Sequence, residues 1–249
     1  MKMIQQFHLA SQYLAMAGKS FLAHKEDDSH TNLGFSVAKK SLLTWPLDDT
    51  GIQLALNYTT FALEWKSTTP QFLSLKGKTH MEVLEWLKTM AKSSHFTRPY
   101  KYDLHYKLPY QMDEKNIFEL TSDDEVQELI QIRTLAQNVL TTFLKEQNLK
   151  SDVRVWPHHF DTGAFAHLHD GSGKSMGLGL AIPDNMVDDF YFYISGYRGN
   201  TALRTWAFPP LSQGKWHNNG FKGAVLSASD ITEEIGLQFF REALGAYKK

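Results

Sequence analysis

Apolar residues recur at helical spacing in four stretches of the chain. Ile4, Phe7, Leu14 and Phe21 lie near one stripe, which predicts an amphipathic first helix over about 3–21 that packs on a core. Thr79-His80-Met81-Glu82 has the form of a capping box, and Val83, Leu84, Leu87, Met90 and Ala91 continue it at helical spacing. Ser122-Asp123-Asp124-Glu125 announces a third helix, with acids at its positive dipole end. Its stripe is Val126, Leu129, Ile130, Ala136, Leu140, Phe143 and Leu144, ending near Asn148. A fourth helix is expected from Asp230, through Ile231, Ile235, Phe239, Ala243, Leu244 and Tyr247.

Between the helices the period shortens to two, as in strands. Residues 33–37, 41–45, 52–56 and 61–65 read as one antiparallel meander, and 153–156, 164–168, 176–182 and 190–197 as another. Each half then reads helix, strands, helix. The predicted fold class is α+β, with mostly antiparallel sheets from two halves, 1–92 and 122–249, packed into one compact unit. Trp45-Pro46-Leu47-Asp48-Asp49-Thr50-Gly51 and Trp156-Pro157-His158-His159-Phe160-Asp161-Thr162-Gly163 share words, for which chance across short strings is favoured over an ancient duplication, while the repeated layout itself reads as two pseudo-repeated halves. Residues 93–121 form the connector; Tyr100, Tyr102, Tyr106 and Tyr110 predict that it packs against something rather than swinging free. Residues 201–223, with Pro209-Pro210 and Asn218-Asn219-Gly220, read as a long irregular loop.

Composition narrows the classes. The chain has 249 residues, 26 Lys+Arg against 27 Asp+Glu, and 42% hydrophobic residues, the profile of a soluble globule. A net charge of −1 provides no field for nucleic acid or anionic lipid, so neither partner is expected. The absence of cysteine removes disulfides, thiolate zinc sites, iron–sulfur clusters and a Cys nucleophile. Gln5, Gln6, His8, Ser11 and Gln12 interrupt the apolar start, which therefore does not read as a secretory signal, and the expected location is cytoplasmic.

Short motifs are weighed against plain alternatives. Gly171-Ser172-Gly173-Lys174-Ser175 resembles the tail of a phosphate-binding loop, but Leu168 stands where the first Gly is required and a strand follows, so it reads as a hairpin turn. The Asp-Thr-Gly triplets at Asp49 and Asp161 read as turns rather than as a protease dyad. His158, His159, Asp161, His167, His169 and Asp170 form the densest chemical cluster. Imidazoles and a carboxylate are the usual donors for zinc or non-haem iron, so these residues are the ligands expected if a divalent metal is bound; no cofactor is assigned outright. Along 190–197, Phe190, Phe192 and Ile194 face the core, while Tyr191, Tyr193, Ser195 and Tyr197 form a tyrosine face beside Arg198, Arg204, Trp206 and Trp216.

On these residues the chain resembles an uncharacterised, mainly bacterial family of unknown function. Its Phe-Trp-Gly-Ser-Phe-Asp-like signature would correspond to Trp156-Pro157-His158-His159-Phe160-Asp161, and its aromatic strand is similar to Phe190-Tyr191-Phe192-Tyr193. The resemblance implies no activity, and it favours Trp156, Phe160 and Asp161 over the histidines as a common site. The leading functional reading is a small-ligand-binding protein, with enzymatic activity left open. Asp161 and His159 would carry any catalysis, and Trp156, His158, Tyr191, Tyr193, Arg198 and Trp206 would line the cleft. Two alternatives stand beside it: a metal-dependent hydrolase using the 158–170 cluster, and a non-catalytic protein-interaction module.

Overall fold

The structure is a computed structural model and describes residues 2–110 and 116–249; residues 111–115 of the expected connector lie outside it. Among the described residues the α-helices are α1 (Met3–Phe21), α2 (His80–Ser93), α3 (Asp123–Glu146) and α4 (Glu233–Lys248). The twelve strands are β1 (Gly34–Ser36), β2 (Ser41–Leu43), β3 (Gln53–Asn57), β4 (Ala62–Lys66), β5 (Gln71–Ser74), β6 (Arg154–Trp156), β7 (Asp161–His167), β8 (Lys174–Ala181), β9 (Tyr191–Arg198), β10 (Thr201–Ala202), β11 (Lys215–His217) and β12 (Gly223–Ser227). The α+β class with antiparallel sheets holds: one sheet runs β1-β2-β3-β4-β5, the other β11-β12-β9-β8-β7-β6 with β10 paired to β9. None of the helices is long and apolar enough to cross a membrane.

The chain separates into two compact units, 1–131 with 155–159, and 132–154 with 160–249. In the first unit α1 packs on the five-stranded meander, with Phe7 ring centroids 4.4 Å from Tyr58 and 4.9 Å from Phe61. Unlike a one-striped surface helix, α1 is buried nearly all round, and Gln6, His8, Ser11 and Gln12 are buried with it. Such polar groups are tolerated in a core only when hydrogen-bonded. The Gln6 amide pairs with the backbone of Glu119 at 2.7 Å and 2.5 Å. The Pro157 carbonyl accepts from His8 Nε2 at 2.7 Å and from Gln12 Nε2 at 2.8 Å. That carbonyl cannot donate, so Nε2 of His8 carries the hydrogen and Nδ1 accepts the Tyr110 hydroxyl.

The tyrosine-rich connector lies inside the first unit, running antiparallel along α1. Arg98 caps the Phe21 carbonyl, the Lys101 amide bonds to Ser20 at 2.9 Å, and Lys19 pairs with Asp103 at 3.0 Å. Further along, the Tyr106 hydroxyl donates to Gln12 Oε1 at 2.6 Å, and Tyr100 donates to the Tyr13 carbonyl at 3.1 Å. Gln6, His8 and Gln12, three of the polar residues that break the apolar stripe of α1, thus help to seat the connector.

In the second unit, strand alternation sends Ala164, Ala166, Met176, Leu178, Leu180, Phe192, Ile194, Ala224 and Leu226 into one core. That core receives Ala136, Val139, Leu140 and Phe143 from α3 and Phe240, Ala243, Leu244 and Tyr247 from α4.

Several expectations need correction. The fourth helix begins at Glu233 with Thr232 as its N-cap, because Asp230 adopts a left-handed conformation (φ 58°) that a helix cannot contain. The stretch 201–223 is not wholly irregular: β10 and β11 lie within it and β12 starts at its end, while β5 was also unread, since these strands are short and lack clear alternation. Asp49-Thr50-Gly51 is a turn whose amides are capped by Asp48, but Asp161-Thr162-Gly163 opens β7 instead. Gly171 to Lys174 forms the hairpin between β7 and β8, as its composition predicts.

Candidate functional site

The sequence-named residues divide between the units. Trp156, His158 and His159 belong to the first, where they form an aromatic group with Tyr106: the His158 ring centroid is 4.3 Å from His159, 5.7 Å from Tyr106 and 6.3 Å from Trp156. Asp161, His167, His169, Tyr191, Tyr193, Arg198 and Trp206 belong to the second.

Within the second unit, Asp161 and His167 of the expected metal set at 158–170 are held apart. Asp161 and His167 are the two ends of β7, and six residues of extended chain hold them about 20 Å apart. His169 lies beyond the strand, in the hairpin loop. A single ion reaches ligands only about 2 Å away, so Asp161 and His167 cannot share one.

Asp161 is buried and accepts the hydroxyl of Tyr193, while Tyr191 donates to Asp184 Oδ2 at 2.7 Å. Burial first, and then the charge of Asp161, push the Tyr193 phenol well above its ordinary value, which keeps it a donor. Arg198 falls on the opposite side of β9 from these tyrosines, because it is out of phase with them by one residue. Trp206 is exposed and carries Arg204 over its ring at 5.3 Å, whereas Trp216 packs against Phe208 and Tyr247. On the core side of the second unit, Arg133 is buried; it donates to Thr162 Oγ1 at 2.6 Å and to the Phe160 carbonyl at 2.5 Å. Its guanidinium also sits 4.2 Å from the Phe160 ring centre. Together these bonds hold the turn into β7.

The convergent donors are elsewhere, in a stretch the sequence reading passed over. His24, Asp28 and His30 of the first unit bring three ligand-type atoms within 4.8 Å of one another. Among the described residues this is the group of three or more such side chains that meets that spacing. Local folding explains it. After α1 the Asp28 amide bonds to the Lys25 carbonyl at 3.0 Å, closing a turn. Asp28 itself takes a left-handed conformation (φ 56°), which Asp tolerates better than most residues, and Ser29–Thr31 form one 3-10 turn. The chain doubles back, so the His24 and His30 rings meet edge to face at 5.1 Å.

Two contacts anchor the doubled-back segment. Trp45 Nε1 donates to the Ser29 carbonyl and to Asn32 Oδ1, each at 3.0 Å. Gly18 of α1 lets the His30 backbone approach closely, since a Cβ there would stand 2.5 Å from the His30 carbonyl oxygen. His30 is buried and His24 exposed. Burial, followed by the neighbouring His24, lowers the His30 imidazole from its ordinary value, favouring the neutral form that binds metals. Its Nδ1 accepts the Lys25 amide at 3.3 Å, a long bond that occupies the nitrogen's one lone pair, so a metal bound there would have to displace that amide. From the connector, His105 Nε2 reaches Asp28 Oδ2 at 3.1 Å.

The sequence signal for this group was His24-Lys25-Glu26-Asp27-Asp28-Ser29-His30, a dense run of donors whose spacing matches no established motif. Comparison with family models, with curated proteins and with solved structures returns no match for this chain.

Proposed function

We propose that this protein binds a divalent transition metal, with zinc the favoured ion, through His24, Asp28 and His30. The observation that carries this reading is the meeting of two imidazoles and a carboxylate within 4.8 Å. Tetrahedral zinc with bonds of about 2.0–2.2 Å needs its ligand atoms about 3.3 Å apart. The three atoms, all within 4.8 Å of one another, would have to draw closer around an ion, and His24 is the exposed member of the group. Two nitrogens and one oxygen suit zinc, iron(II), cobalt(II) or nickel(II) better than calcium or magnesium, which prefer all-oxygen shells. Three protein ligands leave a coordination position for water or a small anion, the arrangement that polarises or activates a bound molecule.

This reading is preferred to a tyrosine-lined ligand cleft because the hydroxyls of Tyr191 and Tyr193 are already committed to Asp184 and Asp161. The test is the elemental content of protein purified without chelator and without a histidine tag. Near-stoichiometric metal in the wild type, lost in a His24→Ala/His30→Ala variant that keeps its circular dichroism, is the expected result. Wild-type protein that neither retains metal nor takes up added zinc would end the reading.

A further inference from the structure

The trio explains what could hold a metal but not why a histidine 77 residues away in sequence is bonded to one member of it. His105 lies in the connector, and its position is fixed from both sides. Two residues before it, Asp103 is tied to Lys19 through both its side chain and its carbonyl, at 3.0 Å and 2.6 Å. One residue after it, Tyr106 packs edge-on against the His105 ring at 4.8 Å and donates to Gln12. A carboxylate only accepts, so the His105 Nε2–Asp28 Oδ2 contact has its hydrogen on the imidazole. The bond uses one lone pair of Asp28 and leaves the rest of the carboxylate for a cation. Asp28 stands on a left-handed residue in a half-exposed turn, and the His105 contact reaches its side chain from the connector.

We infer that His105 is the positioning residue of the metal centre, holding Asp28 from the outer shell, and that occupancy of the centre and seating of the connector on α1 are therefore coupled. This rests on the metal reading above. Outer-shell partners of metal ligands orient them, and losing one weakens metal binding by about 10–100-fold. Coupling between two binding events is reciprocal, so whatever His105 contributes to metal affinity, the metal returns to the docking of residues 98–110.

The experiment titrates Zn²⁺ against a chromophoric chelator for the wild type and for the His24→Ala, His105→Ala and His105→Gln variants. Alongside, trypsin cleavage at the exposed connector lysines Lys101 and Lys107 is timed with and without zinc. His105→Ala is expected to weaken zinc binding by about 10–100-fold. His105→Gln restores most of it, because the glutamine amide can still donate to Asp28. Zinc slows connector cleavage in the wild type and the Gln variant but not in the Ala variant. A purely structural histidine would not give rescue by Gln together with zinc-dependent protection.

The inference is overturned if His105→Ala binds zinc within about twofold of wild type while His24→Ala does not, and the centre itself then stands. It is equally overturned if Gln fails to rescue, or if zinc leaves wild-type cleavage unchanged. Wild-type protein that binds no zinc overturns both this inference and the metal reading.

Discussion

The hydroxyl of Tyr193 donates to Oδ2 of Asp161 across two glycines that face each other in the sheet, Gly163 on β7 and Gly179 on β8. A Cβ on Gly179 would stand 2.7 Å from that hydroxyl and 2.5 Å from the Thr162 carbonyl, so the phenol lies in space that only the missing side chains provide. A Tyr193→Phe variant is expected to lose about 1–3 kcal/mol, the cost of removing a hydrogen bond to a buried charged acceptor. Asp161→Asn keeps an acceptor and should cost less. The two losses should not add in the double variant, since both substitutions act on the same bond, one by removing its donor and one by neutralising its acceptor. Urea denaturation of the four proteins checks this, and strictly additive losses would show that the two side chains act independently.

Arg133 is a buried guanidinium whose nitrogens hold the Phe160 carbonyl and the Thr162 hydroxyl at the turn into β7. Phe160 there has a left-handed backbone (φ 60°), which few bulky residues adopt unaided. Arg133→Met retains the volume but removes both donors, with an expected cost of about 2–4 kcal/mol. Arg133→Lys should fall between, because one ammonium cannot reproduce the fork. Denaturant midpoints give the comparison. A Met variant as stable as wild type would show that desolvating the guanidinium costs as much as its bonds contribute.

Gly18 lies near the end of α1, where alanine would normally stabilise a helix by about 1 kcal/mol. Here the added Cβ meets the His30 carbonyl at 2.5 Å, and the 3-10 turn must move. Gly18→Ala is therefore expected to lower the melting temperature rather than raise it, and to weaken zinc binding at His30. Calorimetry with and without zinc measures both effects. A raised melting temperature would mean that the turn yields at no cost.

Glu82 completes the capping box of α2 with Thr79, and Lys78 bonds to it at 2.8 Å. The Lys78 bond first, and then the Thr79 bonds, pull its carboxyl down from 4.5 to about 2. A depressed carboxylate contributes stability above its unfolded value, and that contribution fades as the pH falls toward the folded one. Wild type should thus exceed a Glu82→Gln variant in stability above about pH 4.5, with the gap narrowing toward pH 2. Melting temperatures taken across that range test it; a gap independent of pH would assign the effect to packing rather than charge.

Much of the fold was readable because it depends on neighbours along the chain. The period of α1 marked Met3 to Phe21, Thr79 and Glu82 formed the expected capping box, and alternation along β9 sent Phe192 and Ile194 inward. Helix spacing and strand alternation express local backbone geometry, so each is written in a window of a few residues. The polar residues of α1 were less readable. Gln6, His8 and Gln12 read only as interruptions of an apolar start, and they are core because Glu119, Tyr106, Tyr110 and Pro157 arrive from far along the chain.

The candidate site shows the same division more sharply. The sequence by itself determined the supply of donors and the α+β scaffold. It also pointed to the cluster at 158–170, of which Asp161 and His167 are held at opposite ends of the extended β7. Only the tertiary structure decided which donors meet. A turn closed at Lys25 and Asp28, a left-handed Asp28 and the bare Cα of Gly18 bring His24 to His30. The docked connector then supplies His105. Convergence of side chains depends on backbone reversals and long-range packing, and neither leaves a periodic trace in the order of the residues.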